Sequence, residues 1–343
     1  MSGLGSSLST VIRSGTFRAA IVLAAFVLFW AIRQIGGLNA YLINSWLVLS
    51  LPLVIASVGV TLVMITRQFD LSAGGVVTLI NVLMATLLSE LPAWLAVLIA
   101  VALGGAIGAI NGLLVIRAKL PAIAVTLATL IVLNGLALVI LPSPGGLVSP
   151  DLVEAVTGDS IVPRSFIVIA VIVIAWLIYR RTRLGIYAFA AGQDDEALRL
   201  SGVSVPRVRL AIFVIAGGLY GLAGVFLSAA IATGDAKIGA PYMLQTFAAI
   251  AIGGTAFTGG SGSVIGTILG ATTMTVLPKV LFVAGINSWS QKIATGVLVI
   301  IAVLIGAISG RSQQRKQQTL IRDGATGGAT VEPPAISEEG RAR

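Results

Sequence analysis

Long apolar segments separated by short polar ones run along most of the chain. Ten segments, most of them about 20 residues long and poor in charge, suit a bilayer core of about 30 Å. They cover approximately residues 17–35, 43–66, 74–89, 92–116, 121–141, 165–179, 210–233, 244–257, 264–283 and 290–309. The pattern predicts an all-α polytopic membrane protein with about ten transmembrane helices, of which the sixth and eighth are the shortest.

One polar stretch, residues 181–210, interrupts this pattern with five arginines and three acidic residues. Each charge would cost several kcal/mol in hydrocarbon, so the stretch is expected in water. Its middle has the signals of a short helix, with a capping acid, a further acid in the first turn, a base in the last turn and a stop glycine. The residues in these roles are Asp194 or Asp195, Glu196, Arg199 and Gly202.

A helix this short does not hold alone in water, where about 12 or more residues are needed. Pro206 is expected to prevent it from restarting. The helix therefore needs a surface on which to dock. Two interpretations stay open from the residues alone: a solvated connector, and a docking helix for a cytosolic partner.

Composition fixes the class of protein. The chain is 57% hydrophobic and 10% charged, whereas soluble domains carry about 25% charged residues. It contains no cysteine and no histidine, which excludes disulfides, thiolate metal sites and histidine acid–base chemistry. The net charge of +9 is explained by basic residues that flank apolar spans, so nucleic acid is not an expected partner.

The distribution of basic residues predicts the topology. Of the 22 basic residues, 17 fall on the side of the N-terminus if there are ten crossings, and the other five are Arg33, Arg164, Lys237, Lys279 and Lys292. This asymmetry predicts N-in, C-in, with the first apolar segment kept as a helix. The expected parts are a cytosolic segment (1–16), a transmembrane domain (17–309) with a cytosolic loop (180–209) and an outer loop (142–163), and a disordered cytosolic tail (310–343).

Glycines recur every four residues in two apolar segments, a spacing that lets helices approach closely. These packing glycines are Gly104, Gly108, Gly112, Gly262, Gly266 and Gly270. The run GGSGSVIG at 259–266 lacks the Lys-Ser/Thr of a phosphate loop. No cofactor is therefore expected in this chain, and its energy source must be a partner.

Uncharged polar residues inside the spans are candidates for a solute path. They are Thr78, Asn81, Thr126, Thr129, Asn134, Gln245 and Thr246. Hydrogen bonding between helices is the favoured alternative. A path lined in this way would suit a neutral polyhydroxylated solute. Asp70 is interpreted as a helix cap, and the spans contain no carboxylate pair for proton coupling; a sodium-driven carrier that uses backbone carbonyls stays open.

Four blocks occur in a characteristic order. They are GVTLVMITRQFDLSAGGVVTL (59–79), INGLLVIRAKLPAIAVTLATLIVLNGLAL (110–138), LGIYAFAAGQDDEALRLSGVSVPRVRL (184–210) and FAAIAIGGTAFTGGSGSVIGTILGA (247–271). Together they resemble the permease subunit of bacterial ABC importers for simple sugars, the ribose/xylose/autoinducer-type branch. The resemblance covers about residues 47–309.

The resemblance implies a fold like the ten-helix permeases of the vitamin B12 importer group. It implies a permease pair in the bacterial cytoplasmic membrane, with lipid around it, a solute-binding protein outside and ABC ATPase subunits inside that bind ATP and Mg²⁺. It favours the docking interpretation of the central helix. The ATPase-coupling residues would be Asp194, Asp195, Glu196, Ala197, Leu198, Arg199, Leu200, Ser201 and Gly202.

The chain departs from this family pattern in one place. Arg67, Gln68 and Phe69 stand where the family usually has Gly-Gly-Ile before Asp-Leu-Ser. The related permease for branched-chain amino acids is the nearest alternative. A membrane-embedded enzyme has little support, because histidine and cysteine are absent.

Overall fold

The computed structural model describes residues 15–34, 37, 39–158, 163–302 and 304. Within these ranges the chain folds into helices joined by turns and loops. The helices are α1 (Gly15–Arg33), α2 (Ala40–Ile65), α3 (Ala73–Ala85), α4 (Ala93–Ile116), α5 (Ala122–Ile140), α6 (Pro150–Thr157), α7 (Arg164–Tyr179), α8 (Arg183–Gln193), α9 (Asp195–Leu200), α10 (Val205–Ile231), α11 (Ala240–Ile252), α12 (Val264–Val283) and α13 (Ser288–Ala302).

Helix α2 is the centre of the bundle. Its residues are apolar on every side, which is the pattern of a helix surrounded by protein, and nearly every residue from Trp46 to Ile65 is buried. Helices α10, α12 and α11 pack around it. By contrast, α4 and α5 leave large apolar side chains such as Leu98 and Ile131 exposed. These outer faces are therefore suited to lipid or to a second protein.

Six described helices are long and apolar enough to cross a membrane: α1, α2, α4, α5, α10 and α12. Helices α7 and α8 meet at an angle of 74° and together could form a seventh crossing. Shorter apolar helices cover residues 73–85, 241–252 and 288–302. The prediction of an all-helical polytopic membrane protein is confirmed, whereas ten crossings stay a prediction. The predicted tail, 310–343, and nearly all of the N-terminal segment lie outside the described residues.

The region of the eighth predicted span, 244–257, overlaps α11, and a non-helical segment leads into this helix. After α10 the chain does not continue as helix: residues 232–239 run back along α3, and α11 then begins at Ala240. At the start of this return, Gly234 pairs with Gly145 through two backbone hydrogen bonds of 3.0 and 2.9 Å. At its end, Gly239 lies so close to Gly74 that a Cβ atom would overlap the Gly74 carbonyl oxygen. Helix α11 is therefore preceded by a non-helical segment that packs against α3.

Candidate functional site

The polar stretch forms two helices rather than the single one predicted. Helix α8 begins after Thr182, whose side chain accepts from Gly185 N at 3.1 Å. Asp194 separates the helices in extended conformation and caps α9, because its Oδ1 accepts from Glu196 N at 2.9 Å and from Ala197 N at 3.1 Å. The predicted N-cap is therefore resolved in favour of Asp194, since an N-cap side chain accepts from the second and third helical residues.

Helix α9 is held to the body of the bundle on one face. Leu198 is buried in a small cluster with Ala191 and Val205. Asp195 receives two hydrogen bonds from the Arg209 guanidinium, at 3.0 and 2.7 Å, across the start of α10. Apolar packing and one ion pair therefore stabilise a helix of six residues that helix propensity alone would not maintain in water.

The opposite face of α9 is free. Leu200 is 75% exposed, and Arg199 and Glu196 form an exposed pair in which Arg199 Nε donates to Glu196 Oε2 at 2.9 Å. The Arg199 guanidinium lowers the pKa of Glu196, and the carboxylate raises the pKa of Arg199. A helix that presents an exposed leucine beside a charged pair has a surface available to a partner.

The end of α9 corrects one expectation. Gly202 adopts a left-handed conformation with φ +78°, which suits a residue that stops a helix. Pro206, however, does not prevent a restart: it lies in the first turn of α10, which begins at Val205. Proline is compatible with that position because the first turn needs no N–H donor. The seventh predicted span therefore starts five residues before the expected Leu210.

The C-terminal end of α2 connects this polar segment with the core. Ile65 O accepts from Gly260 N at 2.8 Å, and Thr66 O accepts from Arg209 Nε at 3.4 Å. Arg67 follows with φ +60°; its Nε donates to Thr258 O at 2.9 Å and its Nη2 to Gln193 O at 3.2 Å. Four segments of the chain therefore meet at the last residues of the central helix.

Glycines allow two pairs of helices to touch backbone to backbone. On α4, a Cβ atom at Gly104 or Gly108 would overlap carbonyl oxygens of α10, and at Gly112 it would stand 2.9 Å from Leu210 Cδ1. On α12, a Cβ atom at Gly266 or Gly270 would overlap carbonyl oxygens of Gly253 and Ala249. Gly262 lies just before α12, where a Cβ atom would stand 2.9 Å from Thr255 Cγ2.

Comparison with known proteins identifies the family. The family described as the permease component of the branched-chain amino acid transport system matches residues 42–306, more than half of the chain. The chain belongs to this permease family.

Three curated relatives support this assignment. The ribose import permease protein RbsC of Escherichia coli (strain K12) is 32% identical over 261 residues, 73% of this permease and 81% of RbsC. The galactose/methyl galactoside import permease protein MglC of the same strain is 30% identical over 329 residues, 88% of this permease and 96% of MglC. The probable ABC transporter permease protein y4mJ of Sinorhizobium fredii (strain NBRC 101917 / NGR234) is 34% identical over 264 residues, 75% and 79% of the two chains.

No solved structure matches the chain. The relatives named as ribose and galactose importers confirm the predicted relationship to permeases of sugar-type ABC importers. The permease is a multi-pass membrane protein of this group. Its ten crossings and its likeness to the vitamin B12 group stay predictions.

Several candidate path residues of the permease bond within the bundle. Asn81 uses its whole side-chain amide: Nδ2 donates to Ser228 Oγ and to Thr233 O, both at 3.0 Å, and Oδ1 accepts from Asp235 N at 2.8 Å. The hydroxyl of Thr78 donates to Gly74 O at 2.7 Å, and the hydroxyl of Thr246 to Met243 O at 2.8 Å. The bonds of Asn81 join separate segments, as the alternative of bonding between helices describes, whereas those of Thr78 and Thr246 stay within their own helices. Gln245 is half-buried, and its path role stays a prediction.

A second group of candidates forms a continuous network of hydrogen-bonded polar side chains. Asp70 Oδ1 accepts from Ser72 Oγ at 2.6 Å, Asn111 Nδ2 donates to Ser72 Oγ at 3.1 Å, and Thr129 Oγ1 donates to Asn111 Oδ1 at 2.6 Å. Asp70 also accepts from Ser72 N at 2.9 Å, so it shapes the turn before α3 and does not bond to the helix itself. The chain of bonds therefore links the α2–α3 loop to α4 and α5.

Two further candidates lie on the same helix as Thr129. Thr126 Oγ1 accepts from Leu71 N at 3.0 Å, which fixes the level of the α2–α3 loop against α5. Asn134 Oδ1 is buried and has no hydrogen-bond partner among the described residues. Asn111 and Thr129 also line an open groove of about 480 Å³ between α4 and α5.

Sequence reasoning missed two parts of this arrangement. Arg209 was counted only as a cytosolic charge, although it anchors α9. Asp235 was not considered, and Lys237 was assigned to the outer surface, although both belong to the segment that returns along α3. An unusually short apolar segment preceded by Gly234, Gly239 and Pro241 was the available signal, since broken spans have this pattern.

Proposed function

We propose that this permease is one of two membrane subunits of an ATP-driven, binding-protein-dependent importer in the bacterial cytoplasmic membrane. Its solute is a small neutral compound in the class of monosaccharides and related polyols. The solute passes unchanged by alternating access, and the chain itself has no enzymatic role. ATP and Mg²⁺ bind to partner ATPase subunits.

The observation that carries this proposal is the exposed face of α9. Its other face is fixed to the bundle by the Arg209–Asp195 pair, so a partner that binds the exposed face acts on the bundle and not on a loose loop. The residues proposed to engage the ATPase are those from Asp194 to Gly202. This contact requires α9 to lie in the cytosol, which agrees with the N-in, C-in topology expected from the basic residues.

Ten crossings follow if the three shorter apolar helices each complete a span. Helix α3 has 13 residues and is about 20 Å long at 1.5 Å per residue, short of a core of about 30 Å. The turn before it is partly buried, with Asp70 and Ser72 inside the protein, and α11 is preceded by the packed segment 232–239. Short helices of this kind are tolerated where protein covers the adjoining backbone.

A second copy of the permease is the proposed neighbour of α4 and α5. Their exposed apolar side chains and the groove that contains Asn111 and Thr129 would then face the pair's common axis. Lipid covers the remaining apolar surface. The alternative partner is a paralogous permease.

The experiment that tests the proposal is partner capture. The permease is tagged, extracted gently from native membranes, and its co-purifying proteins are identified by mass spectrometry. We expect an ABC ATPase at about one copy per permease, lost when residues 194–202 are deleted. Arg117→Ala is the matched control, because Arg117 is an exposed cytosolic arginine outside the α8–α9 region. A deletion that leaves ATPase capture and uptake intact would refute the coupling role.

The name of the matching family favours a second candidate, a branched-chain amino acid permease. Uptake competition separates the two: excess ribose should inhibit under our proposal, and excess leucine under the alternative. A self-contained sodium-coupled carrier is the alternative from another class. It requires transport by the purified permease alone in vesicles with a sodium gradient, without any ATPase.

A further inference from the structure

The segment from Ala232 to Gly239 runs from one end of the bundle to about half the length of a membrane-spanning helix. At its start, a Cβ atom at Gly234 would stand 2.7 Å from Leu141 Cδ2 and 2.9 Å from Ala85 Cβ, at the far ends of α5 and α3. At its end, Gly239 contacts Gly74. The two contacts are eleven residues apart along α3, which corresponds to about 16 Å of depth.

Helix α5 provides the scale for this depth. Its 19 residues extend about 28 Å, close to a whole bilayer core. Next to Gly74, a Cβ atom at Gly75 would stand 3.0 Å from Leu130 Cα, and Leu130 lies at the middle of α5. Gly239 therefore reaches the middle of the span, and the five residues before it occupy the half opposite the polar α8–α9 region.

Two charged residues lie on this segment. The backbone N–H of Asp235 is bound to Asn81 Oδ1 at 2.8 Å, and the Asp235 carboxylate accepts from Lys237 N at 2.8 Å. Asp235 is half-buried, whereas Lys237 is exposed. By position between Gly234 and Gly239, Lys237 stands at about the level of Thr78. Asn134 stands at about the same level on α5, because the α3–α5 packing places Gly75 beside Leu130.

An exposed lysine at this depth is costly in lipid. Lys237 makes no ion pair within the described part of the chain. Charged groups inside a membrane protein face an aqueous cavity or a partner charge, and non-helical backbone at membrane depth is either buried in protein or lines such a cavity. The surface that carries Lys237 is therefore one that water reaches.

We propose that Asp235 and Lys237 form a solute-binding site in the outer half of the translocation path, for a neutral compound with several hydroxyl groups. The carboxylate accepts hydrogen bonds from solute hydroxyls, and the ammonium group donates to hydroxyl or ring oxygens. One unit of each charge keeps the site neutral as a whole, so it does not require a charged solute. The inference rests on the proposed transport function and adds the place where the solute is held.

Water access can be tested directly, because the protein contains no cysteine. Cells that carry the Lys237→Cys variant are treated from outside with a membrane-impermeant thiol reagent. Leu147→Cys, 80% exposed in the loop after α5, is the accessible control, and Ile174→Cys, 55% exposed on the apolar surface of α7, is the lipid-facing control. We expect Lys237→Cys to react as Leu147→Cys does. Reactivity as low as that of Ile174→Cys would overturn the proposal.

Solute binding is tested with ribose and leucine as probes. We expect ribose to slow the labelling of Lys237→Cys several-fold without changing that of Leu147→Cys. Lys237→Gln and Asp235→Asn should raise the KM of ribose uptake several-fold while ATPase capture is unchanged. Lys292→Gln removes another lysine that the charge distribution assigns to the outer side, and it should leave the KM of ribose uptake unaltered.

The outcomes separate this inference from the proposed function. Labelling that ribose does not slow, together with an unchanged KM in Lys237→Gln, would overturn the solute site even if the ATPase is captured. Conversely, failure of the wild-type permease to capture an ATPase would refute the importer, whereas the labelling of Lys237→Cys would still report water at this depth. The glutamine variant nearly keeps the length of lysine, so it serves if the cysteine variant does not fold.

Discussion

The contact between α4 and α10 makes a sharp prediction for neighbouring glycines. A Cβ atom at Gly108 would overlap the carbonyl oxygen of Phe213 and stand 3.2 Å from Gly217 Cα. At Gly105, three residues earlier, the nearest atom would be Val214 O at 3.6 Å, an ordinary contact. Gly108→Ala and Gly105→Ala therefore make the same chemical change on the same helix, with different consequences for the helix pair.

The size of the difference follows from two effects. Alanine gains about 0.5–1 kcal/mol over glycine in a helix interior, and this gain applies to both variants. Overpacking costs about 1–3 kcal/mol, and it applies only to Gly108, because the atom that must move is backbone and not a flexible side chain. We expect Gly108→Ala to be less stable than Gly105→Ala by about 1–3 kcal/mol, the overpacking cost alone.

The assay is thermal unfolding of the purified permease in detergent, followed by tryptophan fluorescence and by the loss of the monodisperse peak on size exclusion. Gly105→Ala should match or exceed the wild type, and Gly108→Ala should unfold several degrees lower. Gly108→Val should be worse, because its branched side chain cannot avoid the same carbonyl. Equal stability of the two alanine variants would refute the close approach of these helices.

Further predictions concern the polar segments. Asp194→Ala removes the cap of α9 and should cost about 0.5–2 kcal/mol of local helix stability; ATPase capture should weaken, and unchanged capture would contradict this. Asn111→Leu removes the hydrogen bonds to Ser72 Oγ and from Thr129 Oγ1, while the Thr129 hydroxyl keeps Val125 O as an acceptor at 3.0 Å. The loss should cost about 0.5–1.5 kcal/mol per bond in thermal unfolding, where an unchanged melting temperature would count against this hydrogen-bond network. Because Arg199 lowers the pKa of Glu196, the pair's contribution is complete above the ordinary glutamate value of about 4.3 and is lost only as pH falls through the lowered pKa. Capture should therefore not change through this pair between about pH 6 and pH 8, and a change removed by Glu196→Gln would refute this.

Much of the architecture could be predicted because hydrophobic length and charge act locally. The apolar segments gave the helices of α2, α4 and α12 to within a few residues, and the caps of α9 followed from residue types that satisfy free backbone groups. The division of the polar stretch into α8 and α9 was missed, because Asp194 can end one helix and begin the next. An N-cap residue in the sequence does not show whether another helix ends immediately before it.

The misses elsewhere have a common cause, which is contact between residues far apart in the chain. The return of residues 232–239 depends on Gly74 and Asn81, more than 150 positions away. Apolar periodicity does not contain this information, and a segment with two charges looks like a surface loop. Burial beside α3 decides its position, and only the packed structure shows that burial.

The departure at Arg67 shows how a local rule can be broken without loss of the fold. The end of α2 is a Schellman motif: Arg67 N donates to Met64 O at 3.0 Å and Gln68 N to Val63 O at 3.3 Å. This motif places Arg67 in the left-handed region, where a residue other than glycine is strained by about 1–2 kcal/mol. Its bonds to Thr258 O and Gln193 O, each worth about 0.5–1.5 kcal/mol, are of the same size as this strain. Arginine in place of the family's usual glycine is therefore close to neutral for folding, and what it adds is a direct tie between the core helix α2 and the last residue of α8, next to the proposed ATPase-docking helix.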